Sequence, residues 1–273
     1  MSSGFVTNEH IKIGSNILNK FLTKLYNKIL EEENIPAPWK KSDIIIVHKK
    51  GSRQLIENYR PISLNPTLAK IFSKLIKNRI SHTLNQQQPR EQAGFRKHFS
   101  VTDHLHVVNQ LIEKSKEYGK NVYLAFIDYT KAFDSLRHKF MIEALVKQGT
   151  PTKYISIIKN MHTELEARVI TDVEGSAFKM KKGVKQGDPI SSILFISALE
   201  EVFKKLNWEG KGANINGEYL NNLRFADDVI LIGKSVQELR EMIEELNREG
   251  KEAGLEMNSG KTKILKIEEI KKK

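Results

Sequence analysis

The sequence predicts an α/β fold. Stretches with apolar residues at helical spacing recur along the chain, and short apolar runs of strand length separate them. The strand-like runs at 43–47, 122–127, 223–232 and 263–267 are rich in Ile, Val, Leu and Phe. With 39% hydrophobic and 29% charged residues in 273, the chain has the composition of a soluble globular protein with a real core.

Taken in order, residues 15–33 predict a helix, because Ile17, Leu18, Phe21, Leu22, Leu25, Tyr26, Ile29 and Leu30 form one apolar stripe that Pro36 and Pro38 end. Residues 43–47 predict a strand, with Lys49, Lys50 and Gly51 turning out of it. Asn58–Leu64 is expected to be extended, since a residue before proline avoids the helical region. Asn65 then reads as an N-cap with Pro66 at the first helical position, and Leu68, Ile71, Phe72, Leu75, Ile76 and Ile80 as the buried face. Residues 85–99 make a Gln-rich connector. A helix follows over 102–118, closed by Gly119, and then a strand over 122–127 too apolar for a sheet edge. Helices are expected at 138–148 and 151–162, and a hairpin at 165–171 and 177–182 closed by Glu174 and Gly175. The loop 183–189 feeds an apolar helix from Pro189 to about Leu206. Ser235 and Glu238 read as a capping box for a helix to Ala253, closed by Gly254, and 263–267 is a last strand. The sequence carries no internal repeat and no clear dividing linker.

Charge narrows the partners. Lys and Arg number 45 against 33 Asp and Glu, a formal net charge of +12, which favours a polyanion and most simply nucleic acid. Charge alone does not separate DNA, RNA and an acidic membrane. With no cysteine, disulfides and Cys-ligated zinc are excluded, which fits a reducing compartment. No apolar run approaches the length of a membrane span, and the N-terminus lacks the apolar core of a signal peptide, so no membrane partner is expected.

The chemistry gathers at Leu223–Ile232. Two strand-like arms flank Asp227 and Asp228. Adjacent carboxylates repel and raise each other's pKa, and a hard dication such as Mg²⁺ relieves that conflict. From this stretch alone, a turn that uses Asp for its backbone chemistry is an equal reading. Asp128, at the end of the apolar run 122–127, adds a third acid. If the two strands are neighbours, their carboxylates share a rim and can hold two ions about 3.5–4 Å apart. A lone strand-end Asp facing water is the alternative.

Phe126-Ile127-Asp128, Lys131-Ala132-Phe133-Asp134, Gly183 to Pro189 (GVKQGDP), Phe225-Ala226-Asp227-Asp228 and Asn258 to Thr262 (NSGKT) stand in the order of the reverse transcriptase palm motifs. Asn58 to Ser63 (NYRPIS) and Gln92 to Arg96 (QAGFR) resemble the fingers motifs of the same enzymes. The combination resembles a non-LTR retrotransposon (LINE-type) reverse transcriptase, nearest in flavour to the RTE/BovB group, from about Pro38 to Ile267. Ser192 after Ser191, and His48 before Lys49, stand where relatives often carry proline.

The resemblance implies a right-hand polymerase fold with an antiparallel palm sheet flanked by helices and the thumb largely absent. It implies an N-terminal helical segment (1–37), fingers (38–120), palm (121–267), the two interleaved, and a basic tail (268–273). Asp128 and Asp227 would hold two Mg²⁺ ions (Mn²⁺ is a possible substitute), with Asp228 more peripheral and Ile127 lending a backbone carbonyl. Lys49 and Arg60 would meet the incoming triphosphate, and Gln186 and Gly187 would lie beneath the templating base and nucleotide. Phe133 would act as a steric gate against ribonucleotides, Asp134 would have a structural role, and Lys261 would protonate leaving pyrophosphate. Phe95 and Arg96 would line the template path. Plainer alternatives stand beside these: a solvated surface lysine for Lys49, a strand-edge lysine for Lys261, an ordinary turn for Gln186 and Gly187, packing for Phe133, and simple packing and surface places for Phe95 and Arg96. The implied partners are an RNA template, a DNA primer and dNTPs, with endonuclease and thumb on a longer parent polyprotein, inside the cell and at the nuclear site of integration. The rival is a catalytically weak retroelement fragment that only binds nucleic acid.

Overall fold

In the computed structural model, which describes residues 6–14, 16–171 and 175–267, the chain begins with helices α1 (Asn8–Ile13) and α2 (Asn16–Glu32). Strands β1 (Lys41–His48) and β2 (Tyr59–Leu64) follow, then helices α3 (Thr67–Gln86) and α4 (Val101–Glu117). Strand β3 (Val122–Ile127) leads into α5 (Ala132–Ser135), α6 (His138–Lys147) and α7 (Thr152–Met161). Next come β4 (Glu166–Val169), β5 (Phe178–Lys179), α8 (Ser191–Phe203), β6 (Ala213–Ile215) and β7 (Glu218–Leu220). The order closes with β8 (Asn222–Phe225), β9 (Asp228–Gly233), α9 (Val236–Ala253) and β10 (Lys263–Ile267). The chain divides into two units that alternate in sequence: Met1–Leu84 with Arg137–Leu194, and Asn85–Leu136 with Phe195–Lys273.

The first unit is built on the sheet β2-β1-β4-β5. β1 pairs antiparallel with β2 and parallel with β4, and Asp43 lies opposite Arg168, whose Nε reaches its carboxylate at 2.7 Å. The core centres on three rings: Phe72 lies 5.6 Å from Tyr26 and 5.9 Å from Trp39. Of the stripe on α2, Leu22, Tyr26, Ile29 and Leu30 are buried, whereas Ile17 and Phe21 are 78% and 60% exposed. The apolar stripe is therefore wider than the buried face. Asn65 does not cap α3 as expected. The helix starts at Thr67, the Asn65 amide donates to Asp188 Oδ2 at 3.2 Å, and Asn65 Oδ1 has no partner among the described residues. The hairpin β4–β5 is short, with Glu166 opposite Lys179 and Ala167 opposite Phe178. Its expected closing residue Glu174 lies outside the described residues, as does the tail 268–273.

The second unit is built on the antiparallel sheet β10-β3-β9-β8, so β3 is interior as its composition predicts. Period-2 alternation gives the sheet two apolar faces. Val122 and Leu124 join Leu223, Ile232 and Ile267 in a cluster under Val108 of α4. On the other side α9 packs against β3 and β9. Glycine at 233 leaves room there, since a Cβ would lie 3.3 Å from Leu239 Cβ. Ser235 caps α9 by accepting from Glu238 N at 3.1 Å, but Glu238 does not complete the box. Its carboxylate accepts from Lys234 N and Gly212 N at 2.7 and 3.1 Å instead. Gly254 closes α9 at φ +90°. On α4 the cap is Tyr118 and Gly119 follows it at φ +61°, while Ser100 and Asp103 form a capping box at its start. The helix expected over 189–206 runs from Ser191 to Phe203. Among the described residues no helix is long and apolar enough to cross a membrane.

Within the first unit, burial pushes the His162 imidazole down to about 4, with its Nδ1 2.9 Å from the Ile158 carbonyl and His138 edge-on at 5.2 Å. The folded chain therefore refuses a proton that the unfolded chain accepts near 6.5. Stability should fall as pH drops from about 6.5 to 4 and should lack this contribution above that window. Thermal melts of His162→Gln across this range should show a flatter slope than wild type.

Candidate active site

In the second unit the β3–β9 register sets Ile127 against Val229 and Phe126 against Ile230. One further step along the same antiparallel register sets Asp128 against Asp228. The β8–β9 hairpin pairs Phe225 with Asp228, leaving Ala226 and Asp227 as a two-residue turn. The three acids therefore emerge at one end of one sheet. Asp128 and Asp227 are half-buried and Asp228 is exposed, while Ile127 behind them is buried.

The turn is conformationally unusual. Ala226 has φ +59°, in the left-handed region that a two-residue hairpin favours but that costs a non-glycine residue about 1–2 kcal/mol. Its arm also carries a charge: Arg224 is 2% exposed. Arg224 Nη1 lies 2.9 Å from Glu200 Oε2, and its guanidinium stacks 4.0 Å over the Phe203 ring. Burial lowers the Arg224 pKa and raises that of Glu200, and each is the other's chief counter-charge.

The backbone beyond Asp128 is also held. Asp128 O accepts from Asn258 N at 2.7 Å, and Thr130 N donates to Glu256 O at 2.9 Å. Asn258 turns the chain, accepting from Thr262 N at 2.9 Å. Exposed Lys261 lies in that turn, three residues from the residue bonded to Asp128. Phe133, on the single turn α5, is half-buried with Asp134 beside it. Its ring stacks on Phe195 at 4.4 Å and 13°, and Phe95 meets it edge-on at 6.1 Å. Phe95 is 53% exposed. Arg96 Nη1 is bonded to the carbonyls of Pro89 and Gln92, and its guanidinium lies 4.1 Å from the Phe99 ring.

The other expected residues belong to the first unit. Lys49 and Arg60 are exposed on the β1–β2 hairpin, where Val47 pairs with Arg60 and Lys49 N donates to Asn58 O at 2.8 Å. Gln186 O accepts from Ser63 N at 2.8 Å, tying its loop to β2. Gly187 has φ +103°, and a Cβ there would come within 3.1 Å of Ser63 O, so the position needs glycine twice over. Asp188 braces the same loop, accepting from Ile190 N at 3.2 Å and from the Ser73 hydroxyl. Beside it burial pushes the Lys185 ammonium down to about 8, and burial raises the Asp188 carboxyl.

Sequence reading missed the supports of the turn: Gln92, Gly94, Arg224 and Glu200. A signal was present for the last two. An arginine inside an apolar arm needs a buried counter-charge, and the apolar stretch after Pro189 holds Glu200 and Glu201.

As to a metal, among the described residues no three His, Cys, Asp or Glu side chains are grouped closely enough to form a cage. The donor set nevertheless fits Mg²⁺, which takes one or two carboxylates and completes its shell with water and substrate phosphates. Oxygen-only donors at a strand rim meet that description.

The mixed α/β fold with its antiparallel sheet is of the polymerase class. The family model for reverse transcriptase (RNA-dependent DNA polymerase) matches residues 47–271, and the chain belongs to that family. Among its relatives is the Pol polyprotein of the type-1 retrotransposable element R2 of Nasonia vitripennis, 27% identical over 93% of this chain and 26% of that protein. Another is the RNA-directed DNA polymerase from mobile element jockey of Drosophila melanogaster, 32% identical over 64% of this chain and 20% of that protein. The chain thus spans about a quarter of the length of such relatives. In structure it is similar to apo telomerase from Candida tropicalis, with a TM-score of 0.62 and 15% identity, covering 92% of this chain and 50% of that one.

Removing one partner of the Arg224–Glu200 pair leaves a buried, uncompensated charge. Arg224→Met should cost about 3–5 kcal/mol in chemical denaturation, and Arg224→Met with Glu200→Met should recover most of it.

Proposed function

We propose that this chain performs RNA-directed DNA synthesis: a primer 3′-hydroxyl attacks the α-phosphate of a dNTP opposite an RNA template, and pyrophosphate leaves. The observation that carries the reading is the common rim of Asp128, Asp227 and Asp228, set by the β3–β9 register, in a chain of the reverse transcriptase family. The proposed palm, 121–267, carries these acids, and 38–120 forms the proposed fingers. Asp128 and Asp227 would hold two Mg²⁺ ions, or Mn²⁺ in their place, with Asp228 peripheral and the Ile127 carbonyl as a further donor. When bound, these ions supply Lewis-acid activation of the hydroxyl and neutralise charge on the leaving phosphate.

The chain's own residues do the rest. Arg60 offers a planar fork of donors to the triphosphate and Lys49 a point charge. Gln186 and Gly187 give the nucleotide a backbone surface without a side chain in the way. Lys261 holds a proton at Nζ for the departing pyrophosphate. The exposed Phe95 ring offers a stacking face to a single-stranded template, with the Arg96 nitrogens other than Nη1 beside it. Positioning and charge compensation carry most of the rate.

Phe133 is the proposed gate. Its ring is braced by the stack on Phe195 and the edge contact with Phe95, which resist yielding to a ribose 2′-hydroxyl on those two sides. A clash of about 1–3 kcal/mol corresponds to roughly tenfold to a few hundredfold discrimination. The quarter-length match to polyproteins supports work within a longer protein. A place of action in the nucleus, at the site of integration, is part of the same proposal. The placement in the RTE/BovB group rests on the wording of the motifs.

Primer extension on poly(rA)/oligo(dT) with Mg²⁺ tests this. Wild type should extend. Asp128→Ala and Asp227→Ala should lose extension by about a thousandfold or more while binding the duplex almost unchanged, with Asp228→Asn milder. Ready extension by Asp128→Ala would remove the assignment, and duplex binding without extension by wild type would favour a mere binding module. Phe133→Val should raise rNTP use with a modest change in dNTP use. A parallel fall in both, with a lower melting temperature, would make Phe133 a packing residue.

A further inference from the structure

We infer that Gln92 is a positioning residue that fixes the Ala226–Asp227 turn, and with it the direction in which the Asp227 carboxylate leaves the sheet. The inference rests on the proposed metal-binding role of Asp227 for its catalytic consequence, though not for its geometry.

Gln92 lies in the connector, more than a hundred residues before the turn, and is 0% exposed. Its side-chain Oε1 accepts from Ala226 N at 3.0 Å and from Gly94 N at 2.8 Å. Ala226 is 3% exposed, so water is not at hand for its amide, and an unpaired buried N–H is costly. The backbone around Gln92 is registered on the same arm. Arg224 N donates to Glu91 O at 2.7 Å and Ala93 N donates to Arg224 O at 2.8 Å, a parallel bridge along β8. Then Gly94 passes directly over the turn: a Cβ there would stand 2.1 Å from Ala226 N and 2.8 Å from its Cα. The turn sits in a socket made of one acceptor oxygen, two backbone hydrogen bonds and one missing side chain.

That socket is what holds Ala226 in its left-handed conformation. If the peptide between Ala226 and Asp227 reorients, the carboxylate moves with it, and a displacement of about 1 Å at a reacting centre can cost a hundredfold in rate. The amide of Gln92 is used on one side only, because Nε2 has no partner among the described residues. The position therefore requires the acceptor and not the donor, and this separates a positioning role from simple packing.

The test compares Gln92→Met, which keeps the volume and removes the acceptor, with Gln92→Glu, which keeps the acceptor. Two readouts are taken: amide hydrogen exchange at Ala226, and kcat and KM for dNTP in primer extension. Gln92→Met should speed exchange at Ala226 by roughly tenfold or more and lower kcat by about a hundredfold, with KM and duplex affinity nearly unchanged. Gln92→Glu should restore both to within a few fold of wild type. If Gln92→Met does not fold, Gln92→Asn, which withdraws the acceptor by one methylene, takes its place. The inference is overturned if the variant lacking the acceptor leaves exchange at Ala226 unchanged. It is overturned equally if Gln92→Glu is as damaged as Gln92→Met. Should wild type fail to extend primers, the proposed function fails, while amide exchange still decides whether Gln92 holds the turn.

Discussion

Carboxylates brought to one place repel, and the chain must hold them there before any counter-ion arrives. The constraint on which the site depends is the antiparallel register of β3 on β9, with Leu124 opposite Ile232 and Ile127 opposite Val229. These are apolar pairs in the middle of a sheet covered on both faces, and a slip of one residue would turn every one of them to the wrong side. Asp128 and Asp228 lie at the end of that register, so burial of the strands fixes where the acids emerge. Repulsion at the rim is opposed by the apolar burial along the strands.

The same economy is visible around the turn. Ala226 tolerates its positive φ because its neighbours over-determine it: β8–β9 pairing on one side, the Glu91–Ala93 bridge on the other, and Gly94 above. Arg224 anchors this arm to α8 through Glu200 and the Phe203 ring. In the other unit, the loop of Gln186 and Gly187 is held by Ser63 and by Asp188 reaching the Ser73 hydroxyl. In both units a loop expected to meet substrate has its backbone hydrogen-bonded to a segment far away in sequence.

Local placement was legible in the sequence and long-range contact was not. Asp128, Asp227 and Asp228 could be read because each stands beside the apolar strand that positions it. The interior place of β3 followed from its composition. Gly187 was read as leaving room for a nucleotide, and what the structure adds is its close approach to Ser63 O. Gln92 could not be read this way, since its importance lies in an amide 134 residues away. The parallel pairing of β1 with β4 joins segments too far apart for periodicity to register. Asn65 had the right type for a cap, but its amide donates to Asp188 and its Oδ1 accepts from no N–H of the helix among the described residues. Ile17 and Phe21 show the limit of an apolar stripe, which marks what can be buried and not what is.

The central claim, that the acids at the β3–β9 rim hold a pair of divalent ions around a nucleotide, is open to one direct measurement. Electron paramagnetic resonance of Mn²⁺ would be recorded on the wild-type chain with primer–template and a non-hydrolysable dNTP. The predicted result is two bound ions whose spins couple at a separation of about 3.5–4 Å, with the coupling lost in Asp128→Ala. A single uncoupled ion in wild type, or a coupled pair that survives Asp128→Ala, would contradict it.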